Sequence, residues 1–562
     1  MKSRKRKKNR LMRLFMLPVF LLACFGAWQL YGIYGSSREH MSEEELFGVS
    51  GDRAAIMYNY ELQSAGALYR GDECYLPVEW VQTILNKRFY WDEAEELLVY
   101  VLPEQVVKLS LSEEQQSEKP LFIYEQEKLW LSETLIRRYT DIRMEPFTDG
   151  EVKRIFVGQV KESDAVAGLR GHTVMRSRPS GKGAIVRELQ KGDSVRIIPD
   201  HPNATTDTER WQRVMSEDGI TGYIRVRKLY AAEQLAVPHD FVAPEYSAHS
   251  LDGKLVLGWH QVSNVDANRY LGAVADRADG LRVISPTWFS LRGNEGEYQS
   301  LASRSYVDAA HAKGLQVWAL LDNFDSSVTL GTLLKRSSVR EKLISSLMAD
   351  AERYGFDGIN LDFELLRRDA VKQYLEFVRE LSVACRARGL YLSVDVPNPA
   401  SYNWHYDRAE LSVFCDYVIN MGYDEHTAGD DMGSSSSLPF FTGGIEDSLR
   451  EIPGERFVAA VPFYTRLWKK AGDGTLSSEA LSMKGAQDWV QKNAVQLDWD
   501  ETLGQYTGNS RAEDGSTAYI WMEEARSMQL KLDAVRSQNI AGVACWRLGL
   551  ETDDMWGIVG KQ

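Results

Sequence analysis

The residues of this chain best able to do chemistry lie in one short run, Asp357-Gly358-Ile359-Asn360-Leu361-Asp362-Phe363-Glu364. In an extended chain successive side chains alternate between faces. Gly358, Asn360, Asp362 and Glu364 therefore share one side, and Ile359, Leu361 and Phe363 the other. A bare Asp-x-Glu is ordinarily a solvated surface feature. Here the acids alternate with large apolar residues, as in a strand buried on both faces. Burying three polar groups in a row is costly unless they pair with each other or with a ligand. The pattern therefore points to a site, with Glu364 outermost.

Such a strand needs neighbours to position it. From about residue 254 to the C-terminus, strand-like apolar runs alternate with helical patterns. Strands are expected at 255–259, 283–288, 317–321, 358–363, 390–394, 417–420, 457–461 and 542–546. Amphipathic helices are expected between them, for example at 339–354, 370–388 and 523–537. Eight alternations fit an α/β fold, a (β/α)8 TIM barrel, over 250–562. An open doubly wound sheet would carry a Gly-rich phosphate loop after its first strand, and none follows Trp259. On a barrel the apolar face of 358–364 meets the helices and the polar face lines the lumen. Glu364 then reaches the C-terminal mouth, where barrel enzymes do their chemistry. An insertion at 469–519, with Trp489, Trp499 and Tyr506, is expected to wall that mouth.

The Asp357 to Glu364 run resembles the Asp-x-x-Asp-x-Asp-x-Glu signature of glycoside hydrolase family 18, the chitinases and related N-acetylglucosaminidases. Other marks recur in order. Asn420-Met421-Gly422-Tyr423-Asp424 is similar to the family's Met-x-Tyr-Asp motif. Val461-Pro462-Phe463-Tyr464-Thr465-Arg466 ends the seventh strand, and Trp546 ends the eighth, where the family has an aromatic floor. The resemblance implies retaining hydrolysis of β-linked N-acetylglucosamine glycans, with no metal and no cofactor. By position it assigns Glu364 to protonate the glycosidic oxygen, Asp362 to orient the substrate's acetamido group, and Tyr423 to donate its hydroxyl to that group. The acetamide oxygen then attacks the anomeric carbon, the substrate-assisted exception to the two-carboxylate scheme. Asn360, Met421, Asp424, Tyr464, Arg466 and Trp546 are expected to contribute to the substrate subsite. Trp259 and Trp288, near strand ends, are expected to stack on sugars, with core packing as the alternative.

Asn360 departs from the family pattern, which has a carboxylate there. Two neighbouring carboxylates share a proton because like charges a few Å apart cannot both ionise cheaply. With Asn360 that repulsion goes and an amide donor is offered to Asp362. Asp362 is then expected to stay ionised, and the pH profile to change. Spore-wall and cortex-lytic members are similar in carrying this Asn, which turns the expected substrate toward peptidoglycan.

At 562 residues the chain exceeds one ordinary domain, and its net charge of −14 argues against a nucleic-acid partner. A basic tail at 1–13 precedes an apolar run at 14–34, long enough to span a hydrocarbon core of about 30 Å. The basic side belongs in the cytoplasm, so a single-pass anchor in a bacterial cell membrane would put the rest outside. Cleavage as a signal peptide, or lipidation at Cys24, are the alternatives. The five cysteines lack metal-ligand spacing and are expected as free thiols.

Two modules are expected before the barrel. Residues 35–150, with Leu76-Pro77-Val78-Glu79-Trp80-Val81 and then Phe89-Tyr90-Trp91-Asp92, resemble a copper amine oxidase N-terminal-like α+β module, without copper ligands. Residues 165–232 carry short strands and a Gly192-Asp193 turn, and resemble a bacterial SH3-like β-barrel. That resemblance implies a cell-wall peptide ligand, or a plain spacer. Anchor and module together would hold a hydrolase near cell-wall glycan. A lectin-like glycan-binding protein, an envelope scaffold and a true chitinase are the competing readings.

Overall fold

The computed structural model describes residues 36–49, 51, 53–199 and 210–561, together with Phe25. The basic tail at 1–13 and, Phe25 apart, the expected anchor at 14–34 lie outside the described residues. Among the described residues no helix is long and apolar enough to cross a membrane. Two compact units form, one from residues up to 89 with 111–243, the other from 90–110 with 244–562.

The first unit holds two seven-stranded sheets. One contains a strand-to-helix step made twice, Glu73–Pro77 into Val78–Ile84 and Lys128–Ser132 into Glu133–Tyr139. The two strands pair antiparallel, Tyr75 opposite Ser132, so the two helices start from opposite ends of the pair. Arg143–Phe147 forms the far edge of this sheet. The other sheet runs through Ser163–Gly168, Thr173–Arg176, Ile185–Leu189, Ser194–Ile197, Trp211–Ser216, Thr221–Arg225 and Glu233–Ala236. Fully buried Arg154 ties the two: its Nη1 donates to Glu43 Oε2 at 2.9 Å and its Nε to the Asp218 carbonyl at 2.8 Å. A buried guanidinium persists where it is paired this way.

The second unit is an eight-stranded parallel barrel. Its strands are β1 (Leu255–His260), β2 (Val283–Pro286), β3 (Gln316–Asp322), β4 (Gly358–Asp362), β5 (Tyr391–Pro397), β6 (Tyr417–Met421), β7 (Phe457–Pro462) and β8 (Gly542–Trp546). Pairing between β1 and β8, and between β2 and β3, closes the ring. The expected order and direction hold, with shifts at strand ends that bear on the site: β3 runs one residue past the expected 321, to Asp322. β2 stops at Pro286, short of Trp288, and β5 runs three residues past the expected 394. The expected helices appear as Ser337–Tyr354, Val371–Arg386 and Ala525–Ser537.

Alternation explains the barrel wall. Ile359, Leu361 and Phe363 are buried in the large core beneath the helices. On the inner face, Trp318, Tyr391 and Tyr417 stack at one end, ring centroids 5.1 and 5.6 Å from Trp318. Gly358 is required there, because a Cβ would lie 2.8 Å from Trp318 and 2.9 Å from the Tyr391 carbonyl.

Residues 90–110, expected with the N-terminal module, belong instead to the barrel unit. They form a three-stranded antiparallel sheet, Tyr90–Asp92, Leu97–Val101 and Val106–Ser110. Helix Ser337–Tyr354 has no side-chain cap from its own N-cap, Arg336. Asp92 Oδ2 accepts from Ser337 N at 2.5 Å and Glu95 Oε2 from Ser338 N at 3.0 Å. Two carboxylates therefore satisfy the helix's orphan N–H groups and sit at its positive end.

Between β7 and β8 the chain builds a five-stranded antiparallel sheet spanning Tyr464 to Met522, with helix Met483–Lys492. This is the expected insertion, a few residues longer at each end. The cysteines are as expected: Cys74, Cys385, Cys415 and Cys545 are free and buried, while Cys24 lies outside the described residues.

Candidate active site

The inner face of the barrel changes from apolar to acidic toward its C-terminal end. Asp322 on β3 pairs in register with Asp362 on β4. One strand further, Leu361 pairs with Val394, so the next residue on each, Asp362 and Asp395, lie side by side. All three aspartates are buried. Glu364 sits just past the end of β4, half-buried at the rim.

Each acid has a distinct setting. Asp322 is held by Ser290 Oγ at 2.8 Å and by Phe324 N at 3.1 Å. Asp362 has one oxygen, Oδ1, with no hydrogen-bond partner. Burial first, then the charges of Asp395, Glu364 and Asp322, push its carboxyl well above the usual carboxylate range. Glu364 is also raised, by burial first and then by Asp424 and Asp322. A raised carboxyl keeps its proton at higher pH, which is what a general acid needs. Its main chain is gripped by Asn323: Glu364 N donates to Asn323 Oδ1 at 3.0 Å, and Asn323 Nδ2 donates to the Glu364 carbonyl at 2.9 Å.

A cavity of 330 Å³ opens at this rim, lined by Glu364, Met421, Tyr423 and Asp424 together with Asn398, Tyr402, Tyr406 and Phe440. A second depression of 750 Å³ starts at the same Glu364 and runs along Asn323, Phe324, Leu365 and Arg367. Both volumes fall in the roughly 300–1,000 Å³ range of small-ligand sites. Leu365 and Asp424, which flank the acid, have φ of 53° and 59°. Left-handed backbone at non-glycine residues costs about 1–3 kcal/mol each and collects at functional sites.

Tyr423 is buried, and burial first, then the Asp362 charge, pushes its phenol well above the ordinary value. It is held as a neutral hydroxyl. Tyr464, the first residue after β7 on the inner side, donates its hydroxyl to Asp424 Oδ1, fixing that carboxylate. Trp546, half-buried at the end of β8, packs on the inner cluster that contains Tyr423 and Tyr464.

Several expectations are corrected. Asn360 does not face Asp362 with its amide N–H. Its Nδ2 donates to Asp395 Oδ1 at 2.8 Å and to Ser393 Oγ at 3.0 Å, while its Oδ1 accepts from Trp259 Nε1 at 2.8 Å and Ser285 Oγ at 3.1 Å. Nor is the Asp362 carboxyl lowered as expected: burial first, and then the like charge of Asp395 beside it, raise it. Trp259, 1% exposed, holds Asn360 and has no face free for a sugar. Trp288, also 1% exposed, lies in the outer core, donating to Asn268 Oδ1 at 2.8 Å and packing on Tyr306. Arg466 reaches Ser478 Oγ at 3.2 Å within the insertion sheet and does not line the cavity. Nor does any insertion residue: the loops after β4, β5 and β6 form the walls.

Sequence reasoning missed Asp322, Asn323 and Asp395, and also Tyr402 and Phe324, which are 73% and 57% exposed beside the two depressions. For Asp395 a signal existed. Leu392, Val394 and Val396 alternate with Ser393 and Asp395 exactly as in β4, extending the strand by one more inward polar residue.

Residues 287–551 match the model of glycosyl hydrolases family 18. Among curated proteins, the chain is 22% identical over 294 residues to the uncharacterized glycosylase YvbX of Bacillus subtilis, covering 50% of this chain and 84% of that protein. It is 26% identical over 268 residues to the cortical fragment-lytic enzyme of the same organism, covering 46% of this chain and 62% of that one. Among solved structures, the Bacillus cereus spore cortex-lytic enzyme SleL superposes with a TM-score of 0.50 at 20% identity, covering 59% of this chain and 77% of that chain. At that identity the likeness speaks to the fold.

Proposed function

Residues 287–551 match the family 18 glycosyl hydrolase model and the chain is a glycosidase; from that premise we propose that it hydrolyses β-linked N-acetylglucosamine glycans of the cell wall, retaining the anomeric configuration. One observation carries the reading: Glu364, its carboxyl raised by burial, opens into the same cavity as Tyr423, Met421 and Asp424. In the proposed reaction Glu364 gives its proton to the glycosidic oxygen. Asp362 accepts from the acetamide N–H, and Tyr423 donates its hydroxyl to the acetamide oxygen. That oxygen attacks C1 from within the substrate, so the leaving alcohol departs with the Glu364 proton and an oxazolinium forms. Water then adds at C1, and its proton returns to Glu364.

Depressions on both sides of Glu364 favour cleavage within a chain, with Tyr402 and Phe324 as exposed ring faces for sugars. Peptidoglycan is the proposed substrate and chitin the alternative; the likeness to the cortical fragment-lytic enzyme favours the former. The expected anchor at 14–34 and the SH3-like reading of 165–232 belong to the same proposal, as devices that keep the enzyme at the envelope. The test is to digest purified peptidoglycan and chitin oligomers with the full chain and identify new reducing ends by mass spectrometry. N-acetylglucosamine ends from peptidoglycan support the reading. Ends at N-acetylmuramic acid, or none from either polymer, overturn it.

A further inference from the structure

We infer that Asp395 is the carboxylate that shares a proton with Asp362, the part that Asn360 gives up on β4 being played from the neighbouring strand β5. The inference rests on the glycosidase reading above and names a positioning residue for it.

Geometry fixes the arrangement. The Trp259 indole nitrogen can only donate, so the amide atom of Asn360 facing it at 2.8 Å must be oxygen. The opposite amide atom is then NH2, and it donates to Asp395 Oδ1 at 2.8 Å. The orientation of Asn360 follows from its partners rather than from choice. Asp395 is 2% exposed and turned into the lumen, in the position beside Asp362 that the β4–β5 register dictates. Asp362 in turn keeps a buried oxygen without a partner. Two buried carboxyls side by side cannot both ionise cheaply.

The surroundings decide where the proton rests. Burial first, and also Glu364, raise the Asp395 carboxyl, but Asn360's N–H opposes them; Asp362 receives no such donor and is raised by burial and then by Asp395, Glu364 and Asp322. Asp322 from β3, Glu364 from the end of β4, Tyr374 from helix Val371–Arg386, Tyr406, and Tyr423 beyond β6 complete the titratable groups acting on the pair. None of them is a cation. The donor that Asp395 alone receives therefore places the resting proton on Asp362 and the charge on Asp395.

When an acetamido group enters, an oxygen of Asp362 accepts its N–H. As positive charge grows on the oxazolinium, the shared proton passes from Asp362 to Asp395, leaving Asp362 the anion beside the cation. It returns once water has added, so the pair neither gains nor loses a proton over the cycle. Asn at 360 and Asp at 395 are thus complementary. The amide satisfies Trp259 on one side and pins the relocated carboxylate on the other.

Activity against pH, with 4-methylumbelliferyl di-N-acetylchitobioside as probe, tests this on the full chain. The variants are Asp395→Asn, the exchange Asn360→Asp/Asp395→Asn, and Glu364→Gln as control. Asp395→Asn should lower kcat ~10-fold, one decade short of the ~10² contributed by a group that transfers the reacting proton. It should also move the acid limb to lower pH, since removing a negative neighbour lowers the Asp362 carboxyl. The exchange returns a carboxylate to β4 and should recover most of both changes. A folded Asp395→Asn with the kcat and profile of the unaltered protein overturns the inference, as does a folded exchange variant no better than Asp395→Asn. Loss of fold in both, seen by circular dichroism, marks the carboxylate as structural and also overturns it. If instead Glu364→Gln is as active as the unaltered protein, the glycosidase assignment of Glu364 falls and this inference with it.

Discussion

Asn323 grips the main chain of Glu364 at both ends, accepting from its N–H at 3.0 Å and donating to its carbonyl at 2.9 Å. One side chain at the end of β3 thus mimics a strand partner just where β4 has run out. Each such bond is worth about 0.5–1.5 kcal/mol net, and small misplacements of a reacting group cost up to ~10²-fold in rate. Asn323→Ala should lower kcat ~10-fold or more with little change in melting temperature. Unchanged kcat on the chitobioside probe would show that the grip does not position the acid.

The proton on Glu364 is defended by negative neighbours, Asp424 foremost after burial. A general acid works while protonated, so activity falls as pH rises through its raised pKa. Asp424→Asn removes a negative charge, lowers the Glu364 carboxyl and should move the basic limb of kcat/KM to lower pH. An unmoved or alkaline-shifted limb would contradict this electrostatic account.

Asp362 exemplifies activity set against stability. Its folded pKa is raised above the unfolded value of about 3.9. Stability from that group is complete below the unfolded value and declines as pH climbs toward the folded one. Asp362→Asn removes the ionisable group and lets an amide donate to Asp395. Its melting temperature should exceed that of the unaltered protein by a few degrees at pH 8, with the gain shrinking below about pH 4. Equal melting curves across that range would mean that burial of Asp362 carries no such cost.

Much of this was readable before the fold. Alternation in 358–364 is local, so the inward row of Asn360, Asp362 and Glu364 follows from the chain itself. The ends of strands are less legible. Counting apolar runs stops β5 at 394 and β3 at 321, and the acids at 395 and 322 fall one residue outside. Their inward direction follows from alternation once the strand is known to run that far, and how far it runs is set by neighbouring strands. The role of Trp259 was illegible for another reason: an indole at a strand end looks alike whether it meets a sugar or a buried amide 101 residues away.

The segment 90–110 shows the same limit at longer range. Asp92 caps Ser337 across 245 residues, and no local pattern announces such a partner. Asp92→Ala should cost about 0.5–2 kcal/mol, the usual worth of an N-cap, read as a lower urea midpoint for the barrel unit. A midpoint within error of the unaltered protein would mean that the helix start is satisfied without it.

The central claim is that Glu364 acts as general acid in a reaction whose nucleophile is the substrate's own acetamide. Proton NMR of freshly hydrolysed chitin oligomers reads this directly, because the first sugar released shows its anomeric configuration before mutarotation. The β-anomer should form first with the unaltered protein, and Glu364→Gln should form it at least ~10²-fold more slowly. Initial release of the α-anomer, or an undiminished rate in Glu364→Gln, would contradict the account.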